Sequence, residues 1–146
     1  MRNFAASTLA AALLVAGCGG GGDGRLSRAD YAKQADAICA EYNVKLNALP
    51  RPKNETELVG FVDKAVPLVS DASDRLSELS PPQDEQKIAT AWNKANADIV
   101  RALERLRAAA KAQDRPKMQA ALADGNKANQ HANDLARTLG MKDCAK

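Results

Sequence analysis

The chain has 146 residues, 45% of them hydrophobic but only 3% aromatic, and carries a formal net charge of +3. That length supports one domain with a modest core. Near-balanced charge and scarce rings argue against nucleic-acid binding and against stacking platforms for bases or sugars, while abundant alanine and few strand formers favour packed helices.

Arg2 opens the chain, and residues 4–16 are apolar or small apart from Ser7 and Thr8. This run has the length of a signal-peptide core and falls short of the roughly 20 residues that span a bilayer. It ends in Leu14-Val15-Ala16-Gly17-Cys18, which resembles the lipobox of bacterial lipoproteins. A plain secretory signal would end in an A-x-A-like site instead. The resemblance implies cleavage before Cys18 and transfer of a diacylglycerol, with palmitate-type acyl chains, to its sulfur. Residues 1–17 are therefore expected to be a lipoprotein signal peptide. Residues 18–26 are expected to be the lipidated cysteine and a Gly-rich leash with a mean reach of about 15–18 Å. Residues 27–146 form the expected domain, held at the extracytoplasmic face of the cell membrane by the lipid.

Four periodic segments follow, each bracketed by stop signals. The first covers residues 28–49. Ser27 with Asp30 three residues on reads as a capping box, and Tyr31, Ala35, Ile38, Tyr42, Leu46 and Leu49 make one buried stripe before Pro50 and Pro52. The second covers residues 55–79, with Asn54 as N-cap and a stripe from Leu58, Phe61 and Val62 through Leu68 to Leu76 and Leu79. Pro67 lies inside it and predicts a kink or break over residues 63–67. The third follows Ser80-Pro81-Pro82, with Ser80 as the expected cap, and runs to residue 112 on Ile88, Trp92, Ala95, Ile99, Leu103 and Leu106. The fourth begins at residues 114–116 and ends at Leu139, with Gly140 as a left-handed cap. Its expected inner face is Met118, Leu122, Gly125, Ala128, Ala132, Leu135 and Leu139. Short connections predict an all-α, antiparallel up-down four-helix bundle.

The chain has three cysteines. With Cys18 consumed by lipid, Cys39 and Cys144 remain, and export into an oxidising compartment favours a disulfide between them. A metal or redox pair is the rival, but there is no CxxC spacing, and the single histidine, His131, has no flagged carboxylates to complete a zinc site. In the up-down topology the fourth helix ends beside the start of the first, so a short extended tail carries Cys144 to Cys39.

No nucleophile–base pattern, phosphate loop or metalloprotease motif stands out, so neither enzyme activity nor a metal or other cofactor is expected. His131 falls off the apolar stripe and reads as a surface residue. Three features carry weaker functional readings. Arg51, Lys53, Arg107, Lys111, Arg115 and Lys117, joined by Arg101 and Arg105, gather toward the end far from the tether, where an anionic envelope polymer or acidic protein would be attracted. Cations also suit helix C-termini and keep a surface soluble. Asn93 and Asn96 flank Trp92, while Asn126, Asn129 and Asn133 recur at helical spacing. They read as a polar ligand groove, or as an exposed flank and interhelical hydrogen bonds. Trp92, Tyr31, Tyr42 and Phe61 read as bulky core, or as the lining of a small-molecule pocket in the bundle.

Ala35-Asp36-Ala37-Ile38-Cys39-Ala40, the Ser80-Pro81-Pro82 break before a tryptophan-bearing helix, and Leu139-Gly140-Met141 leading to Cys144-Ala145, together with the lipobox, resemble small lipoproteins of actinobacterial type. The resemblance implies export, lipidation and a disulfide-closed helical domain, and no particular activity. The expected function is a lipid-anchored extracytoplasmic binding or adaptor domain at the cell envelope, with a small-ligand carrier as the alternative.

Overall fold

The computed structural model describes residues 24–146. The expected signal segment, Cys18 and most of the leash lie outside the described residues. Four α-helices make up the fold, and no strand occurs among the described residues. They are α1 (Arg28–Asn47), α2 (Glu55–Ser77), α3 (Gln86–Lys111) and α4 (Arg115–Thr138), with a single 3-10 turn, Gln83–Glu85, leading into α3.

Local chemistry sets the helix ends. At α1, Ser27 Oγ accepts from the Asp30 amide at 3.2 Å and donates to the Asp30 carboxylate at 2.6 Å. At α2, Asn54 Oδ1 accepts from the Glu57 amide at 2.9 Å, and Glu57 reaches back to accept from the Lys53 amide, also at 2.9 Å. At α4, Asp114 Oδ1 accepts from the Lys117 amide at 3.1 Å, with Pro116 in the first turn, where a missing amide costs nothing. Gly140 has φ +80° and closes α4, with its own amide on the Arg137 carbonyl and that of Met141 on the Ala136 carbonyl. The same pattern closes α3, but there the left-handed position, φ 54°, is filled by Gln113.

Three sequence expectations are corrected. α2 runs unbroken through Pro67. Pro67 and Asp63 are both exposed residues, a position at which solvent rather than a buried partner is available to the Asp63 carbonyl that the missing amide leaves free. Ser80 does not cap α3: no side-chain cap precedes either the 3-10 turn or the helix, and the Ser80 carbonyl instead accepts from the Leu26 amide at 3.0 Å. Leu122 is 47% exposed, and its neighbour Ala121 is buried in its place. A stripe this rich in alanine offers two registers one residue apart, and the smaller side chain takes the inner one because α3 and α4 approach closely. A Cβ added to Gly125 would lie 3.4 Å from that of Ala102.

The core falls into two clusters. The larger draws on all four helices and on Met141, with Tyr31, Trp92 and Leu139 essentially inaccessible. The smaller is built from Val62 of α2, Leu106, Ala109 and Ala110 of α3, and Met118 and Ala121 of α4, without α1. α3 packs most extensively on α4 and next on α2, and α1 packs on α2, whereas the α1 and α4 backbones scarcely approach each other. The segment after Gly140 occupies the space between them.

Candidate functional site

That C-terminal segment is held in three ways. Cys39 and Cys144 stand at disulfide distance, with sulfurs 2.03 Å apart and 105 residues between them in sequence. One turn before Cys39, the Asp36 carboxylate accepts from three successive tail amides: Lys142 at 2.8 Å, Asp143 at 2.8 Å and Cys144 at 3.1 Å. Asn43 Nδ2 donates to the Asp143 carbonyl at 3.3 Å, and Asn133 Nδ2 donates to the Lys146 carbonyl at 3.0 Å. The cysteines were legible in the sequence, but Asp36 was not singled out. It stands three residues before Cys39, on the stretch of α1 that the tail reaches, but that spacing carries meaning only once the position of the tail is known.

Beneath the tail lies a cleft of about 130 Å³. Asn43, Asn96, Asn129 and Asn133 supply its amides, and Leu46, Val69, Ala72, Leu76, Ile99 and Ala132 its apolar wall. The structure thus brings Asn96, Asn129 and Asn133 together, as a groove requires, and adds Asn43. Asn93 lines a separate surface hollow beside Arg25 and Gln86, and Asn126 is exposed on α4. Asn96 Nδ2 is buried without a hydrogen-bond partner. Trp92 is 1% exposed and belongs to the packed core rather than to the wall of this cleft. Tyr42 does line it. Its hydroxyl donates to Asp71 and accepts from Arg75 at 3.2 Å, and Lys45 stands 4.4 Å from its ring centre. Hydrogen bonds to Tyr42 and then to Glu41 hold the Arg75 guanidinium above its usual range, and the contacts of Lys45 and Arg75 hold the Glu41 carboxyl below its own.

The six basic residues of the expected distal patch sit around the α1–α2 and α3–α4 connections. Most of them face an acidic neighbour. Arg107 and Lys111 meet Asp63 at 3.9 and 2.9 Å, Arg115 meets Glu55 at 2.8 Å, and Lys117 meets Asp114 at 2.8 Å. Lys117 holds the Asp114 carboxyl low through its side chain and its amide. Arg51 donates to Asn47 Oδ1 at 3.3 Å, and Lys53 is exposed. Arg101 and Arg105 lie further along α3, on Asp98 and Asp124. These surface pairs are worth little each and exchange readily, so the patch is a set of weakly committed cations rather than a bare positive field. His131 is exposed on α4.

At the opposite end, Glu85 is 7% exposed, and its Oε1 meets Arg28 Nε at 3.0 Å. Its Oε2 and the Tyr31 hydroxyl are both buried without partners. No helix among the described residues is long and apolar enough to cross a membrane. No protein-family model, curated protein or solved structure matches this chain.

Proposed function

We propose that the chain is a lipid-anchored extracytoplasmic binding or adaptor domain at the cell envelope, built as an antiparallel up-down bundle. The observation that carries the anchor is Leu14-Val15-Ala16-Gly17-Cys18 at the end of a short apolar run that follows Arg2. The topology is supported by which side chains meet. Glu41 late in α1 pairs with Arg75 late in α2, while Leu26 just before α1 bonds Ser80 just after α2. Asp63 early in α2 pairs with Lys111 at the end of α3, and Arg105 late in α3 pairs with Asp124 in the first half of α4. Each succession fits neighbouring helices that run in opposite senses.

In that arrangement the leash from Cys18 enters at the end marked by Leu26, Arg28 and Thr138. The cations around the Arg115–Glu55 pair then stand at the far end, facing away from the membrane. A polyanion, such as a wall polymer or an acidic protein surface, would displace the acidic partners and gain contacts with Arg51, Lys53, Arg107, Lys111, Arg115 and Lys117.

Membrane fractionation of the full chain and of Cys18→Ser tests the anchor. The wild type is expected with the membranes and the variant in the soluble exported fraction, with the same helical spectrum. A variant that is exported, processed and still membrane-bound overturns the anchor. For the far end, retention on isolated cell-wall material should fall as salt rises. Salt-independent retention, or none, removes the polyanion.

A further inference from the structure

We infer that the cleft between α1, α4 and the C-terminal tail is a binding site for a small neutral molecule bearing hydroxyl or carboxamide groups. The site stands apart from the anchor and from the distal cations, and it holds whether or not Cys18 carries lipid.

Its polar inventory defines the ligand. Asn96 Nδ2 is a buried donor with no acceptor, an arrangement that costs about 1–3 kcal/mol when nothing fills it. Asn43 and Asn133 each commit their NH₂ to a tail carbonyl, which leaves both carbonyl oxygens as acceptors at the cleft. A ligand that satisfies these groups must both donate and accept, as a hydroxyl or a primary carboxamide does. Asparagine is also a mediocre helix former. Four of them converging from α1, α3 and α4 are therefore held against local preference.

Charge is excluded by the same inventory. Of the ionisable side chains of the tail, Asp143 and Lys146 line the cleft and are paired with each other. The Tyr42 hydroxyl is already committed to Asp71 and Arg75. A carboxylate or ammonium entering the cleft would lose hydration and find a counter-charge only by breaking the Asp143–Lys146 pair. The wall formed by Leu46, Val69 and Ile99 adds a hydrocarbon face. The volume of about 130 Å³ is close to the roughly 150 Å³ that accommodates a benzene ring, so the occupant has about five to eight non-hydrogen atoms. Asp36 and the cysteine pair fix the tail that closes the site before any ligand arrives, which limits the ordering cost of binding.

The test uses the full chain, oxidised and labelled with nitrogen-15, and follows its side-chain amide resonances. The neutral probes are propionamide and 1,2-propanediol, and the charged isosteres are propionate and propylammonium. Both neutral probes should give saturable shifts at Asn96 and Asn133, with the charged isosteres at least about tenfold weaker. Asn96→Leu, which fills the cleft with hydrocarbon, should abolish the shifts. Asn129→Leu at the exposed mouth serves as a second variant if Asn96→Leu does not fold. Absence of saturable shifts from either neutral probe overturns the inference, as does equal response to the charged isosteres. Shifts that survive in a folded variant overturn it too.

Discussion

Tyr31 offers a test of whether the core's orphan polar groups are real. The residue is 0% exposed and its hydroxyl has no partner. Burial, and then the negative charge of nearby Glu85, push its pKa up to about 12. Tyr31→Phe removes the hydroxyl and keeps the ring. A buried unsatisfied hydroxyl costs about 1–3 kcal/mol, and the small void left behind offsets part of the gain. A net stabilisation of about 1 kcal/mol at neutral pH is expected, or roughly 4 °C in the thermal midpoint.

The variant also has a pH signature. The folded-state pKa of Tyr31 lies above the unfolded value of about 10. Its contribution is therefore fully present below about pH 10 and is lost as pH rises through about 12, amounting to about 2.7 kcal/mol for a two-unit shift. Urea unfolding of wild type and variant at neutral pH and at several alkaline values, with tyrosinate absorbance followed in parallel, isolates this loss. Lysine titration is common to both proteins and drops out of the difference. Tyr31→Phe should flatten the alkaline decline. If it instead destabilises the protein by more than about 1 kcal/mol at neutral pH, the hydroxyl has a genuine partner; if the alkaline slopes coincide, the raised pKa is wrong.

Gln113→Gly should stabilise by about 0.5–1 kcal/mol, because Gln113 holds a left-handed φ of 54° that glycine adopts without strain; a urea midpoint that falls at unchanged slope contradicts this. The double variant Cys39→Ser, Cys144→Ser opens a loop of 105 residues and should lose up to about 4–5 kcal/mol by the loop-entropy relation, less whatever Asp36 retains. Hydrogen exchange at the amides of residues 142–144 reports the same release locally, and unchanged stability and exchange on reduction would show that the pair is not bonded.

What was legible in the sequence was what is decided within a turn or two. Ser27, Asn54 and Gly140 act at the ends where their side chains or backbone freedom place them, because a cap satisfies amides or carbonyls only a few residues away. Tyr31, Ala35, Ile38 and Tyr42 were legible as a stripe for the same reason, and all are buried. Leu122 misled because alanine on either side leaves the helical period ambiguous. Pro67 does not break α2, because the damage a proline does depends on which face it occupies, and that face is set by the partners of α2. Asp36 was out of reach: its acceptor role is toward amides 106 to 108 residues away, and nothing in a local window announces it. The asparagines were halfway. Their spacing on α3 and α4 was visible, but Asn43 joins them only because the tail, rather than α4, lies against α1.

That substitution of tail for helix ties the features of this molecule together. A four-helix arrangement in which α1 and α4 packed directly would leave no cleft and no need for Asp36. Here the α1–α4 gap is closed by an irregular segment whose backbone groups must find partners. Asp36 takes the amides, Asn43 and Asn133 take the carbonyls, and Cys144 adds a covalent tie. Asn43, Asn133 and Cys144, which hold the tail, also line the cleft, so tail docking and occupancy of the cleft are coupled. A ligand that binds only the docked form stabilises it, and a change that loosens the tail weakens the ligand in proportion to the docked fraction it removes. Asp36 lines no part of the cleft and donates nothing to a ligand, yet its removal should reduce affinity there. That effect at a distance separates a site built by the tail from a solvent-filled gap beneath it.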